Sequence, residues 1–282
     1  MSLFQPFDPE EGGPRRLRRP LPQVPVRTVL PNLVTLLALC AGLTSIRMAT
    51  EQRFMLAVTF IAIAAALDGI DGRMARFLKS TSRFGAELDS ITDFLNFGVA
   101  PAILLYVWSL GELQSFGWMA ALIFAICAAL RLARFNVALD KPDKPDWQAG
   151  FFVGVPAPAG AMLVMLPLYL EFVAIPHGFL TAPAVLVYTI AIGLLMVSQL
   201  PTWSGKLVGR RISREAVAPL FVCGVLVVAF LVSFPWATMS VLALAYLGAL
   251  PLSWRSCQRQ LQADAAKAAA TPPSGSGAAS GA

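Results

Sequence analysis

Four aspartates, Asp68, Asp71, Asp89 and Asp93, stand at the ends of two long apolar stretches. Asp68 and Asp71 are three residues apart and Asp89 and Asp93 four apart, so each pair falls on one face of a helix. A carboxylate at the centre of a membrane helix costs on the order of 2.5–3.5 kcal/mol, less near an end, so four unpaired ones approach roughly 10 kcal/mol and need a compensating partner. The connection from Lys79 to Arg83 is short and polar, which makes the two helices adjacent and antiparallel and brings both acidic faces together. Like charges that close repel one another unless cations neutralise them. Oxygen-only donors, with neither cysteine nor histidine nearby, favour magnesium, manganese or calcium over zinc. A two-metal site for displacement at phosphorus is the chemistry such a cluster serves best. The competing reading makes the aspartates helix caps and ion pairs with Arg73, Arg76 and Arg83, yet caps alone do not require four acids at matched helical spacing.

The helices that must hold this cluster are membrane helices. The chain of 282 residues is 57% hydrophobic and 13% charged, with mean hydropathy +0.67, more apolar surface than a soluble core can hide. Residues Met1 to Arg27 are polar and rich in Pro and Arg, so no cleaved leader is expected and the first apolar helix directs insertion. At about 20 residues per crossing, the pattern predicts an all-α polytopic bundle of eight spans, over 30–48, 54–75, 87–108, 117–137, 155–175, 181–200, 216–234 and 237–254. Every lysine and arginine except Arg47 and Arg53 then falls on one side, which puts both termini in the cytoplasm. The expected organisation is a basic tail over 1–28, a transmembrane domain over 29–255 and a disordered Ala/Gly/Ser/Pro-rich tail over 256–282. Cys40, Cys127, Cys223 and Cys257 show no CxxC spacing and read as small core residues rather than a disulfide or zinc framework. His177, the one histidine, falls on the outer face, away from the acids.

Asp68, Asp71, Gly72, Ala75, Arg76, Gly85, Asp89 and Asp93 match the pattern D-x-x-D-G-x-x-A-R, eight residues, G-x-x-x-D-x-x-x-D without a departure. That signature resembles the CDP-alcohol phosphotransferase family. The resemblance implies that Asp68, Asp71 and Asp89 hold metal, two magnesium or manganese ions, and that Asp93 is both ligand and proton acceptor for the incoming hydroxyl. It also implies CDP-lipid binding at Gly72, Ala75, Arg76, Ser82 and Gly85, with Asn32 and Thr35 of the first span near the nucleotide. Pro31 to Thr35 also reads as a simple helix start. Arg76 has a case of its own, since a guanidinium beside the metals can hold a diphosphate oxygen.

Outside the signature, Arg131-Leu132-Ala133-Arg134-Phe135-Asn136 and Phe152-Val153-Gly154-Val155-Pro156-Ala157-Pro158 look like the phosphatidylserine synthase branch. That likeness implies L-serine as acceptor and CDP-diacylglycerol as donor, with CMP leaving, in a cytoplasmic (inner) membrane and with the site facing the cytoplasm. A serine carboxylate needs an arginine or amide, and Arg131, Arg134 and Asn136 are the candidates; each also serves as an ordinary cytoplasmic boundary residue. The same chemistry fits glycerol 3-phosphate, inositol phosphate or choline, with Lys206, Arg210 and Arg211 as further cations. A cation transporter is the distant alternative, disfavoured because the acids gather at one side instead of spreading through the membrane depth. The family implies a homodimer surrounded by membrane lipids, and no nucleic acid is expected as a partner.

Overall fold

In a computed structural model of the chain, residues 26–78, 82–139, 151–173, 181–198, 201–203 and 214–270 are described. The expected basic tail up to residue 25, Lys79, Lys141, Lys144, His177, Lys206, Arg210 and Arg211 lie outside them, as does the end of the C-terminal tail.

Among the described residues ten α-helices run in the order α1 (Val26–Thr50), α2 (Phe54–Phe77), α3 (Arg83–Phe94), α4 (Ala100–Trp108), α5 (Gln114–Leu139), α6 (Ala157–Val164), α7 (Leu166–Phe172), α8 (Ala182–Val197), α9 (Arg214–Ser233) and α10 (Pro235–Ala270). A π-helical turn, Leu95–Val99, joins α3 to α4 without a break. One element departs from an all-helical reading: β1 (Phe151–Val153) and β2 (Pro201–Trp203) pair antiparallel, with Phe152 opposite Thr202.

Among the described residues, five helices are long and apolar enough to cross a membrane: Val29–Thr50, Phe54–Phe77, Arg83–Trp108, Leu110–Ala138 and Pro235–Ser253. The expected sixth and seventh spans exist as shorter apolar helices, Ala182–Val197 and Val217–Ser233. The expected fifth span, 155–175, is divided between α6 and α7 at Met165. Pro167 in the first turn of α7 supplies the reason: it has no N–H for the helical ladder, and its ring displaces the carbonyl four residues earlier. Helix α8 stops at Ser198, whose φ of −60° and ψ of 158° are extended, ahead of Pro201. Helix α10 continues to Ala270, past the residue 256 from which a disordered tail was expected. The stretch from Gln258 to Ala270 is rich in Ala and Gln, good helix formers.

Helix α1 packs most extensively on α2, and α5 on α8. The contact face of α1 is a stripe of small residues, Thr35, Ala38, Gly42, Ser45 and Ala49, spaced three and four apart. Small side chains let membrane helices approach closely enough for backbone contacts. Ser45 shows the result: wholly buried, it donates to the Ala57 carbonyl of α2 at 2.8 Å. The apolar core includes Met48, Ile61, Leu104, Leu105, Phe124 and Tyr169. Leu36, Leu43, Ile63, Leu122, Ile126, Val187 and Leu194 stay exposed on the outside, as lipid-facing residues do. Arg47 and Arg53, the two cations left off the basic side, both approach Glu51, at 2.8 and 3.9 Å, in the turn between α1 and α2.

Candidate active site

The last turns of α2 carry Asp68 and Asp71, and α3 carries Asp89 and Asp93. Ser82 starts α3: it is extended, at φ −123° and ψ 151°, and its Oγ accepts from the Gly85 N–H at 3.0 Å. That cap sets the helical phase of the two aspartates that follow. Gly85 cannot carry a side chain, because a Cβ there would lie 2.8 Å from Asn32 Oδ1 and 3.0 Å from Ser82 Oγ. Asn32 of α1 is thereby seated against the first turn of α3.

Asp68, Asp71 and Asp89 each present a carboxylate oxygen, and these oxygens lie within 4.8 Å of one another. The Asp93 carboxyl faces that of Asp68 at hydrogen-bonding range. Its Oδ1 is buried and has no partner among the described residues. Thr35 Oγ1 of α1 donates to Asp71 Oδ2 at 2.7 Å, and it also lies 3.1 Å from the Pro31 carbonyl. Both residues are nearly inaccessible, 4% and 3% exposed, so this contact fixes the Asp71 carboxylate from behind.

The ion-pair reading of the aspartates fails on geometry. Among the described residues the ion pairs are those of Glu51, and Arg73, Arg76 and Arg83 make none with the four acids. Arg76 turns its Nε to the Gly72 carbonyl of its own helix, at 3.0 Å, and remains exposed. Three clustered carboxylates with Asp93 beside them, no ion pair to a side-chain cation among the described residues and one orphaned buried oxygen form a donor set that fits a hard divalent metal ion. The two signature glycines do different jobs. A Cβ at Gly72 would meet nothing within 4 Å, so the space beside the acids is open there, whereas Gly85 is closed by Asn32 and Ser82. Ala75, one turn beyond Asp71, is half-buried.

The three acceptor candidates lie at the end of α5, on the same end of the bundle. Asn136 comes closest to the acids: its Nδ2 donates to Ser90 Oγ at 2.9 Å, next to Asp89 in sequence. Arg131 is 7% exposed, donates from Nε to the Val155 carbonyl at 3.0 Å, and lies 5.6 Å from the Phe135 ring centre. Arg134 is exposed and donates from Nη1 to the Val197 carbonyl at 2.7 Å. Both arginines thus clip α5 to neighbouring backbone, at the start of α6 and the end of α8. Sequence reasoning missed Ser90 and Asn96. The first had no signal beyond its place between two acids; the second, an amide inside an apolar run, could have been noticed.

A family model described as CDP-alcohol phosphatidyltransferase matches residues 28–196, and a second, CDP-alcohol phosphatidyltransferase 2, matches 215–251. The chain is 47% identical over 176 residues to a CDP-diacylglycerol–serine O-phosphatidyltransferase of Mycobacterium leprae, covering 61% of this chain and 57% of that protein. It is 39% identical over 236 residues to the protein of that name from Mycobacterium bovis, covering 81% of this chain and 79% of the relative. Among solved structures, phosphatidylinositol phosphate synthase of Mycobacterium tuberculosis with CDP-DAG bound overlaps 59% of this chain and 80% of its own, at 22% identity and a TM-score of 0.45.

Proposed function

Because the chain belongs to the CDP-alcohol phosphatidyltransferase family, we propose that it transfers the phosphatidyl group of CDP-diacylglycerol to the hydroxyl of L-serine, giving phosphatidylserine and CMP. The observation that carries this reading is the cluster of Asp68, Asp71 and Asp89 with Asp93 beside it, unpaired by any arginine among the described residues and open at Gly72. The serine acceptor is supported by the names of the relatives.

Asp68, Asp71 and Asp89 are the ligands of the cation site, with Asp93 completing it. When bound there, two magnesium or manganese ions would polarise the phosphoryl oxygens and offset the charge of the leaving nucleotide. Thr35 holds the Asp71 carboxylate in its ligating orientation. The CDP moiety lies along the open face of α2 at Gly72, Ala75 and Arg76, and toward Asn32, Thr35, Ser82 and Gly85 where α1 meets α3. Arg76 releases the Gly72 carbonyl to hold a diphosphate oxygen.

The serine oxygen bonds to the phosphorus that carries the diacylglycerol. As the bond from that phosphorus to the bridging oxygen of CMP breaks, the hydroxyl proton passes to Asp93, whose Oδ1 is free to accept it. On the acceptor side, Arg134 keeps N–H groups for the serine carboxylate and Asn136 keeps Oδ1 for its ammonium. Arg131, nearly buried, contributes positive charge to the same wall. The positive-inside pattern supports a site facing the cytoplasm in the cytoplasmic membrane, with both termini on that side. The family resemblance supports a homodimer.

The test is CMP release by the purified protein in detergent, with CDP-diacylglycerol, magnesium or manganese, and serine, glycerol 3-phosphate, inositol phosphate or choline in turn. Release with serine alone is expected. Release with a different acceptor alone keeps the metal chemistry and overturns the serine assignment.

A further inference from the structure

Asn96 is wholly buried, at 0% exposed, inside the span that carries Asp89 and Asp93, and it sits in the π-helical turn Leu95–Val99. A primary amide in that setting is costly unless its polar atoms are bonded. Its Nδ2 donates to the Ala38 carbonyl of α1 at 3.2 Å. Its Oδ1 has no donor among the described residues and occupies the place of a side chain on Gly42: a Cβ there would lie 1.9 Å away. One amide is therefore keyed to one turn of α1 backbone, Ala38 to Gly42, with no room for a side chain at position 42. Leucine would be the less costly residue in an apolar interior, so stability alone does not account for a half-bonded amide.

The place of Asn96 suggests what it does. It is three residues beyond Asp93, in a turn that holds an extra residue and so resets the helical phase between the acidic half and the apolar half of the span. Before Asp93, α1 touches α3 through Asn32 at Gly85; after Asp93, it touches the π turn through Ala38 and Gly42 at Asn96. Thr35, between these two contacts on α1, holds Asp71. Resting on the phosphatidyl-transfer reading above, we propose that Asn96 is a positioning residue: by bonding to Ala38 and seating on Gly42, it fixes the rotation of α3 so that Asp93 faces the acceptor hydroxyl. It touches no substrate and acts through Asp93.

The test compares CMP release with serine by the wild-type protein, Asn96→Ala, Asn96→Ser and Gly42→Ala in one detergent preparation. Small misplacements of a reacting group cost up to about 100-fold in rate. The expected result is a kcat for Asn96→Ala lower by on the order of 10- to 100-fold with the KM for CDP-diacylglycerol kept within about two-fold, partly restored in Asn96→Ser. Gly42→Ala, which displaces the amide, should reproduce the kcat loss and carries the test if Asn96→Ala does not fold. Wild-type turnover tests the phosphatidyl-transfer reading; the ratio of variant to wild type tests this inference. A kcat within about two-fold of wild type in either Asn96→Ala or Gly42→Ala, or a loss confined to KM, overturns the positioning role.

Discussion

Asp93→Asn preserves the size of the side chain and an oxygen donor toward the cation site while removing its capacity to take a proton. We expect turnover to fall by about 10²–10⁴-fold, the usual worth of a positioned general base, with CDP-lipid binding largely spared. CMP release and a lipid-binding titration check the two halves, and near-normal turnover would remove Asp93 from the base role. Thr35→Val tests the layer behind the acids. It keeps the shape and deletes the 2.7 Å hydrogen bond to Asp71, and the metal concentration for half-maximal activity should rise about 10-fold or more, as outer-layer partners of metal ligands commonly require. An unchanged metal requirement would leave Thr35 a packing residue of the α1 interior only, since α1 already starts at Val26. The aspartates were legible in the sequence because charge in an apolar span is expensive and spacing assigns the face. The bond from Thr35 to Asp71 spans two helices and becomes visible only when they pack.

Of the two signature glycines, Gly85 packs the start of α3 against α1 while Gly72 borders open space, so their substitution should have opposite consequences. Gly72→Ala meets nothing within 4 Å, so thermal stability in detergent should stay unchanged while the KM for CDP-diacylglycerol rises, because the added methyl enters the space proposed for the nucleotide. Gly85→Ala would bring a Cβ within 2.8 Å of Asn32, and a fold loss of roughly 1–3 kcal/mol is expected from such overpacking. A melting curve and a KM for each variant decide it; equal loss of stability in both would show that the open face of α2 is closed in the folded protein. The signature implied one role for both glycines, CDP-lipid binding, and could not tell packing from access. Likewise the division of 155–175 into α6 and α7 was signalled by Pro167, but hydropathy summed over the stretch hid it. The ribbon of β1 and β2 left no such sign, since three-residue strands paired across about 50 residues of sequence carry too little period to read.

For the molecule as a whole, the composition required a membrane protein, and five helices of spanning length and composition agree with that. The gathering of the acids where the end of α2 meets α3 fits an enzyme site better than an ion path, whose acids would be spread through the membrane depth. Removal of divalent metal with a chelator should therefore abolish turnover reversibly, with activity restored by magnesium or manganese. Activity that survives exhaustive chelation would break the link between the acidic cluster and catalysis. The acceptor was less legible than the donor chemistry, because Arg131 and Arg134 are committed partly to backbone carbonyls and read equally as boundary residues. The most direct measurement of the central claim is incorporation of radiolabelled serine into lipid by the purified wild-type protein with CDP-diacylglycerol and magnesium or manganese, beside Asp93→Asn. The account predicts labelled phosphatidylserine and an equal amount of CMP from the wild type, and both lower by about 10²–10⁴-fold from the variant; label in lipid from both proteins alike, or from neither, would contradict it.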